Sequence, residues 1–107
     1  MQRSKIASYL GFAKKSGNLR AGANVIATLK KANLIIVSED ASENAKKDAK
    51  KYSDKFECPL VLSAIPAEEI TGKENCKTIA VTEENLAKAI LDNLDENFTI
   101  ISGGRKE

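Results

Sequence analysis

The nine residues "GNLRAGANV", Gly17–Val25, gather two glycines, two asparagines and one arginine, and hold no acidic group. That composition suits anion binding. A helix that begins near Ala23 leaves its first backbone amides, those of Ala23 and Asn24 among them, without intrahelical partners, at the positive end of the helix dipole. Gly22 has no side chain, so a second backbone can approach it closely. Asn24 offers a donor and an acceptor that suit a base edge or a ribose 2′-hydroxyl. Arg20, with Lys14 and Lys15 upstream, is expected to surround this tip with charge indifferent to base identity. The plainer reading makes Gly22 a turn residue and Asn24 a cap, since every helix has an N-terminus.

Other chemistries find little support. The chain contains no histidine to act as a base, and neither Cys58 nor Cys76 stands in a nucleophile motif. "GFAKKSG" spaces two glycines six apart but follows a helical pattern, and no lysine and hydroxyl follow the second glycine as a phosphate loop requires. Two cysteines without histidine fall short of the four ligands usual for zinc. They are expected to be small apolar packing residues rather than a disulfide. Glu39-Asp40 follows a candidate strand, where some α/β proteins hold a metal or a phosphoryl acceptor, but helix capping explains Asp40 more simply. No catalysis, cofactor or metal is therefore expected.

Charge is distributed unevenly. Residues 1–31 hold Arg3, Lys5, Lys14, Lys15, Arg20, Lys30 and Lys31 and no Asp or Glu, a formal +7, although the whole chain carries only +2. Residues 32–107 are acidic in balance. Such asymmetry points to a polyanionic partner for the basic segment, the alternative being a solvated surface. The apolar runs are too short to span a bilayer, and the N-terminus lacks the apolar stretch of a secretory signal, so a cytoplasmic protein without membrane contact is expected.

The elements that must position these residues follow from periodicity. Ile6, Tyr9, Leu10 and Ala13 predict a first helix over about 3–15, stopped by Gly17. "NLRA" reads as a short extended link or edge strand, and Val25, Ile26 and Leu29 predict a second helix over about 23–31 with those three facing inward. "LIIVS", 34–38, reads as a central strand covered on both faces. Asp40, with Glu43 three residues on, resembles a capping box for a helix whose buried stripe is Ala45, Ala49, Tyr52 and Phe56. "CPLVLSA" is the next strand, "PAEEI" a short helix, and "TIAV", 78–81, a third buried strand. Thr82 is expected to cap a last helix with core residues Leu86, Ile90, Leu91 and Leu94, and 98–107 to add a short strand and a frayed tail. Strands alternate with helices along one domain of 107 residues, which predicts an α/β fold, a three-layer α-β-α sandwich on a small mixed sheet of about four strands.

"YLGFAKKSGNLRAGANV", "LIIVSEDASENAKK" and "TGKENCKTIAV" together resemble the L-seven-Ae ribosomal protein family, in its bacterial branch. The pattern L-G-x-A-x-K-x-G-x-L-x-x-G followed by S-E-D-A-S-x-N carries the resemblance, which extends to about Ala89. It implies an α-β-α sandwich that binds kink-turn RNA in ribonucleoprotein particles and is not an enzyme. The family's second helix opens Gly-x-Asn-Glu, with a lysine one turn later. Gly22 and Asn24 match, while Val25 and Thr28 stand where the glutamate and the lysine belong. A second family contact, in the loop before the last core strand, corresponds to Glu74, Asn75 and Cys76. The expected partner is thus structured RNA, ribosomal RNA included, bound by a monomer. The alternative is a protein-interaction module of the same fold that has lost kink-turn recognition. A small enzyme acting on a phosphorylated metabolite ranks below both.

Overall fold

The computed structural model describes residues 5–65, 68, 77–94 and 96–102. Among these, the chain runs α1 (Lys5–Ser16), β1 (Leu19–Ala21), α2 (Ala23–Ala27), β2 (Leu34–Ser38), α3 (Glu43–Phe56), β3 (Leu60–Ser63), β4 (Thr78–Val81), α4 (Glu84–Asp92) and β5 (Phe98–Ser102). The strands form one five-stranded sheet in the order β1-β4-β2-β3-β5. β2 and β3 are parallel, joined across α3, and the other three pairings are antiparallel. The sheet is therefore mixed as expected, with five strands rather than four. The fifth is the C-terminal "FTIIS", which pairs with β3 through a bulge beside Leu60 and Val61.

Alternation along β2 shows why the fold has three layers. Leu34 and Ile36 enter one core with Ile6 and Leu10 of α1, Ala87 and Ile90 of α4, and Phe98. Ile35 and Val37 enter the other, with Ile26 of α2, Ala49 of α3 and Cys58. Side chains of period two cannot all reach one face, so an unbroken apolar strand needs helices on both sides. All five residues of β2 are buried. The α3 stripe behaves as its spacing predicts: Ala49 is buried, and Ala45, Tyr52 and Phe56 pack against the same core.

Helix ends differ from the sequence reading in instructive ways. α1 closes on Gly17 at φ +79°, where the Asn18 amide reaches the Ala13 carbonyl (2.8 Å) and the Gly17 amide that of Lys14 (3.3 Å). This is the Schellman arrangement, for which a residue without Cβ is favoured. The cap of α3 is Ser42, not Asp40: its hydroxyl accepts from the Ala45 amide at 3.1 Å. The chain needs Ala41 and Ser42 to turn from β2 into α3, and Ala41 is buried there. Glu83, not Thr82, caps α4, its carboxylate accepting from the amides of Asn85 and Leu86. The Thr82 hydroxyl donates instead to the Asn18 carbonyl (3.1 Å), tying α4's entry to β1's. α2 has five residues rather than nine: Thr28 closes it, with its amide (3.1 Å) and its hydroxyl (2.7 Å) both donating to the Val25 carbonyl. The predicted "PAEEI" helix lies largely outside the described residues.

Candidate nucleic-acid interface

The register of β1 on β4 places the candidate residues. Leu19 lies opposite Val81 and Ala21 opposite Ile79. The Thr82 amide donates to the Asn18 carbonyl at one end of β1, and the Gly22 amide to the Thr78 carbonyl (3.0 Å) at the other. Asn18 and Gly22 are therefore about 13 Å apart at strand rise. Lys14 and Lys15 close α1 at the Val81 end, and Gly22–Asn24 stand at the Thr78 end. The structure does not gather these lysines around the tip of α2. Arg20 lies between the two groups. Its backbone partner Ala80 faces the α2 and α3 core, so Arg20 points to α2's side of the sheet, exposed on an edge strand.

The tip itself is a tight turn. Gly22 adopts φ +97° and ψ 140°, a conformation open essentially to glycine alone. Its carbonyl accepts the first helical bond, from the Ile26 amide (3.0 Å). That leaves the amides of Ala23, Asn24 and Val25 without intrahelical partners. A helix of five residues has little dipole to add, so anion attraction here depends on side-chain charge. Asn24 is exposed, with no hydrogen-bond partner among the described residues. Val25, expected to face inward, is 39% exposed; Ile26 alone of that pair is buried. The shortened helix explains the difference, since one turn needs only one apolar residue against the sheet.

The Thr78 end also carries carboxylates. Lys77, one residue from Gly22's partner, donates to Glu68 at 2.8 Å and to Asp40 at 3.1 Å. The hydrogen bond to Glu68, followed by that to Asp40, raises the Lys77 pKa above its ordinary value. This lysine is thus held by two acidic groups and does not make the corner electropositive. Asp40, expected to be a cap, serves here instead.

At the Val81 end the balance is different. The Asn33 amide donates to the Val81 carbonyl (2.8 Å) and its side chain to the Thr82 carbonyl (3.0 Å), which anchors the preceding Lys30 and Lys31 at this end. Leu34 and Leu19 flank Val81 on either side, about 10 Å apart, so the two basic segments lie at the same end of the sheet, Lys14 and Lys15 on the α1 face and Lys30 and Lys31 on the α2 face. Lys14, Lys15, Arg20, Lys30 and Lys31 are not buried, and none forms an ion pair among the described residues. Glu83 and Glu84 begin α4 at the same end, the first with its carboxylate on backbone amides. Lys30 and Lys31 reach this end of the sheet through Leu34's pairing with Val81 and through Asn33, whose bond to Thr82 spans 49 residues of sequence and leaves no local pattern.

Glu74, Asn75 and Cys76 lie outside the described residues. Cys58 is a buried packing residue, and burial pushes its thiol up to about 11. Among the described residues, no group of three or more His, Cys, Asp or Glu is placed to hold a metal ion, and no helix is long and apolar enough to cross a membrane.

No family model matches this sequence, and no curated protein matches it. A solved structure from Bacillus halodurans C, described as a protein with unknown function, superposes on this chain with a TM-score of 0.75. The likeness covers 88% of this chain and 100% of that one, at 22% sequence identity. It is a likeness of fold, and the charges on the basic surface are this chain's own to explain.

Proposed function

We propose that this protein is a non-catalytic RNA-binding protein of the cytoplasm, a monomer that holds structured RNA, such as ribosomal RNA or a kink-turn-like stem, along its β1 edge. Lys14, Lys15, Lys30 and Lys31 grip phosphates at the Val81 end, and Arg20 continues the track toward Gly22, Ala23 and Asn24. Asn24 meets a base edge or a 2′-hydroxyl. The observation that carries this reading is the set of five exposed basic side chains without ion-pair partners among the described residues: Arg20 on the β1 edge, Lys14 and Lys15 just before it, and Lys30 and Lys31 before β2 at the same end of the sheet. Elsewhere Lys50 and Lys77 form ion pairs while Lys46, Lys47, Lys51, Lys55 and Lys88 form none among the described residues; what sets the five apart is that residues 1–31 hold no Asp or Glu.

A gel-shift titration tests it, with a kink-turn stem and an unbent duplex of equal length, each at two salt concentrations. Binding that weakens steeply with salt is the expected result. Affinity for neither RNA, or affinity indifferent to salt, refutes the proposal. The second reading, a protein-interaction module, draws on Val25, exposed beside Asn24, and on the two carboxylates that hold Lys77. Partner capture equally strong before and after ribonuclease treatment selects it.

A further inference from the structure

α1 carries a second unpartnered feature. Its buried face is Ile6, Leu10 and Ala13, with Tyr9 packed at the margin. Phe12 lies off that face and is 62% exposed. A helix surrounds it with the residues three and four positions away. Of these, Ser8, Lys15 and Ser16 are exposed and none is acidic, and Tyr9 turns inward. Gly11 beside it has no side chain, and a Cβ there would meet nothing within 4 Å. The ring is thus uncovered on a helix that holds no Asp or Glu and ends in two cations without ion-pair partners among the described residues.

Resting on the RNA-binding reading, we infer that Phe12 is a stacking platform for one unpaired nucleobase, with a flanking phosphate held by Lys15. An exposed aromatic ring beside a lysine is a combination that binds single-stranded nucleic acid without sequence preference, because every base has a π-face and every nucleotide a phosphate. Charge complementarity favours a polyanion as the occupant, and a looped-out nucleotide satisfies the ring and the neighbouring ammonium group together. The platform lies on the opposite face of the sheet from α2, so it adds a contact that the tip of α2 does not provide.

Two oligonucleotides of twelve residues test the inference: an oligoadenylate, and the same backbone with abasic sites throughout. Wild-type protein is expected to prefer the oligoadenylate by about tenfold, the effect of one stacked base. Phe12→Ala is expected to bind both strands alike, with an unchanged salt slope, and Phe12→Trp to restore the preference. Phe12 is exposed, so neither change threatens the core. A Phe12→Ala or Phe12→Leu protein that keeps the preference overturns the platform. Wild-type binding that is steeply salt-dependent but blind to the bases also overturns it, and leaves the phosphate-binding reading standing. Wild-type protein that binds neither strand, nor the structured RNAs above, refutes both.

Discussion

Asn24, Glu57, Gly22 and Cys58 each allow a measurement in which a single group decides the outcome. Asn24→Ala removes an exposed amide without a partner among the described residues, so folding is expected to be untouched. If the amide reads a base, RNA affinity falls by about 1–3 kcal/mol, and an unchanged dissociation constant takes Asn24 out of the interface. Glu57 is the one described residue other than glycine with positive φ, +52°, at the close of α3, where the Cys58 amide reaches the Ser53 carbonyl. A Cβ in that conformation costs about 1 kcal/mol, and Glu57→Gly is expected to return most of it in a urea titration. Gly22→Ala tests the opposite case: nothing crowds a Cβ there, so its expected cost of about 1–3 kcal/mol is backbone strain at φ +97° alone. Cys58 gives a pH dependence. Its thiol ionises near 11 in the folded chain against an ordinary value of 9.0, so the unfolded chain loses the proton first. Stability present below pH 9 therefore declines as pH rises through 11, by about 3 kcal/mol in all. Lys77, raised in the same direction by Glu68 and Asp40, adds to the decline only above its ordinary value of 10.5. The slope of unfolding free energy between pH 9 and 11 is expected to be shallower in Cys58→Ala than in wild type.

Helix entries show where local reading succeeds and where it slips by a residue or two. Periodicity finds α1, α3 and α4, because burying one face of a helix leaves a 3.6-residue trace whatever lies opposite. The continuous apolar run of β2 is equally plain. Caps are harder, since Asp40, Ser42, Thr82 and Glu83 are all chemically suited to the position. Which of each neighbouring pair faces the free amides depends on where the preceding strand releases the chain. Ser42→Ala is accordingly expected to cost about 1 kcal/mol in thermal or urea unfolding, and Asp40→Ala clearly less. Equal costs would mean that the Lys77–Asp40 pair contributes as much as the cap. Spacing makes α2 too long because Leu29 continues its apolar stripe. Leu29 does pack on the same core as Ile26, but from the turn after Thr28, not from a helix. Side-chain spacing alone does not distinguish those two routes.

Across the molecule, the basic surface is a product of pairing. Replacing Lys14 and Lys15 together with alanine is expected to weaken every RNA about equally and to reduce the log–log salt slope by about two, one for each phosphate no longer neutralised. A slope that does not move would place RNA elsewhere. The excess of positive charge in residues 1–31 is legible from composition, and so are the sandwich and most of its elements, since buried faces and glycine stops are written in local spacing. The grouping of the charges is not. Sequence proximity suggests one cluster around Gly22, because Lys14, Lys15, Arg20 and Gly22 lie within nine residues. An extended strand separates its ends, and hydrogen bonds with β4 and the residue after it fix those ends apart: Asn18 by Thr82, Gly22 by Thr78. Lys30 and Lys31 come to the same end of the sheet as Lys14 and Lys15, two strands away, and the tip of α2 is left near two carboxylates instead. Local chemistry shows which residues can bind an anion, but only long-range strand pairing, which acts between residues some fifty to sixty positions apart, chooses which of them stand together.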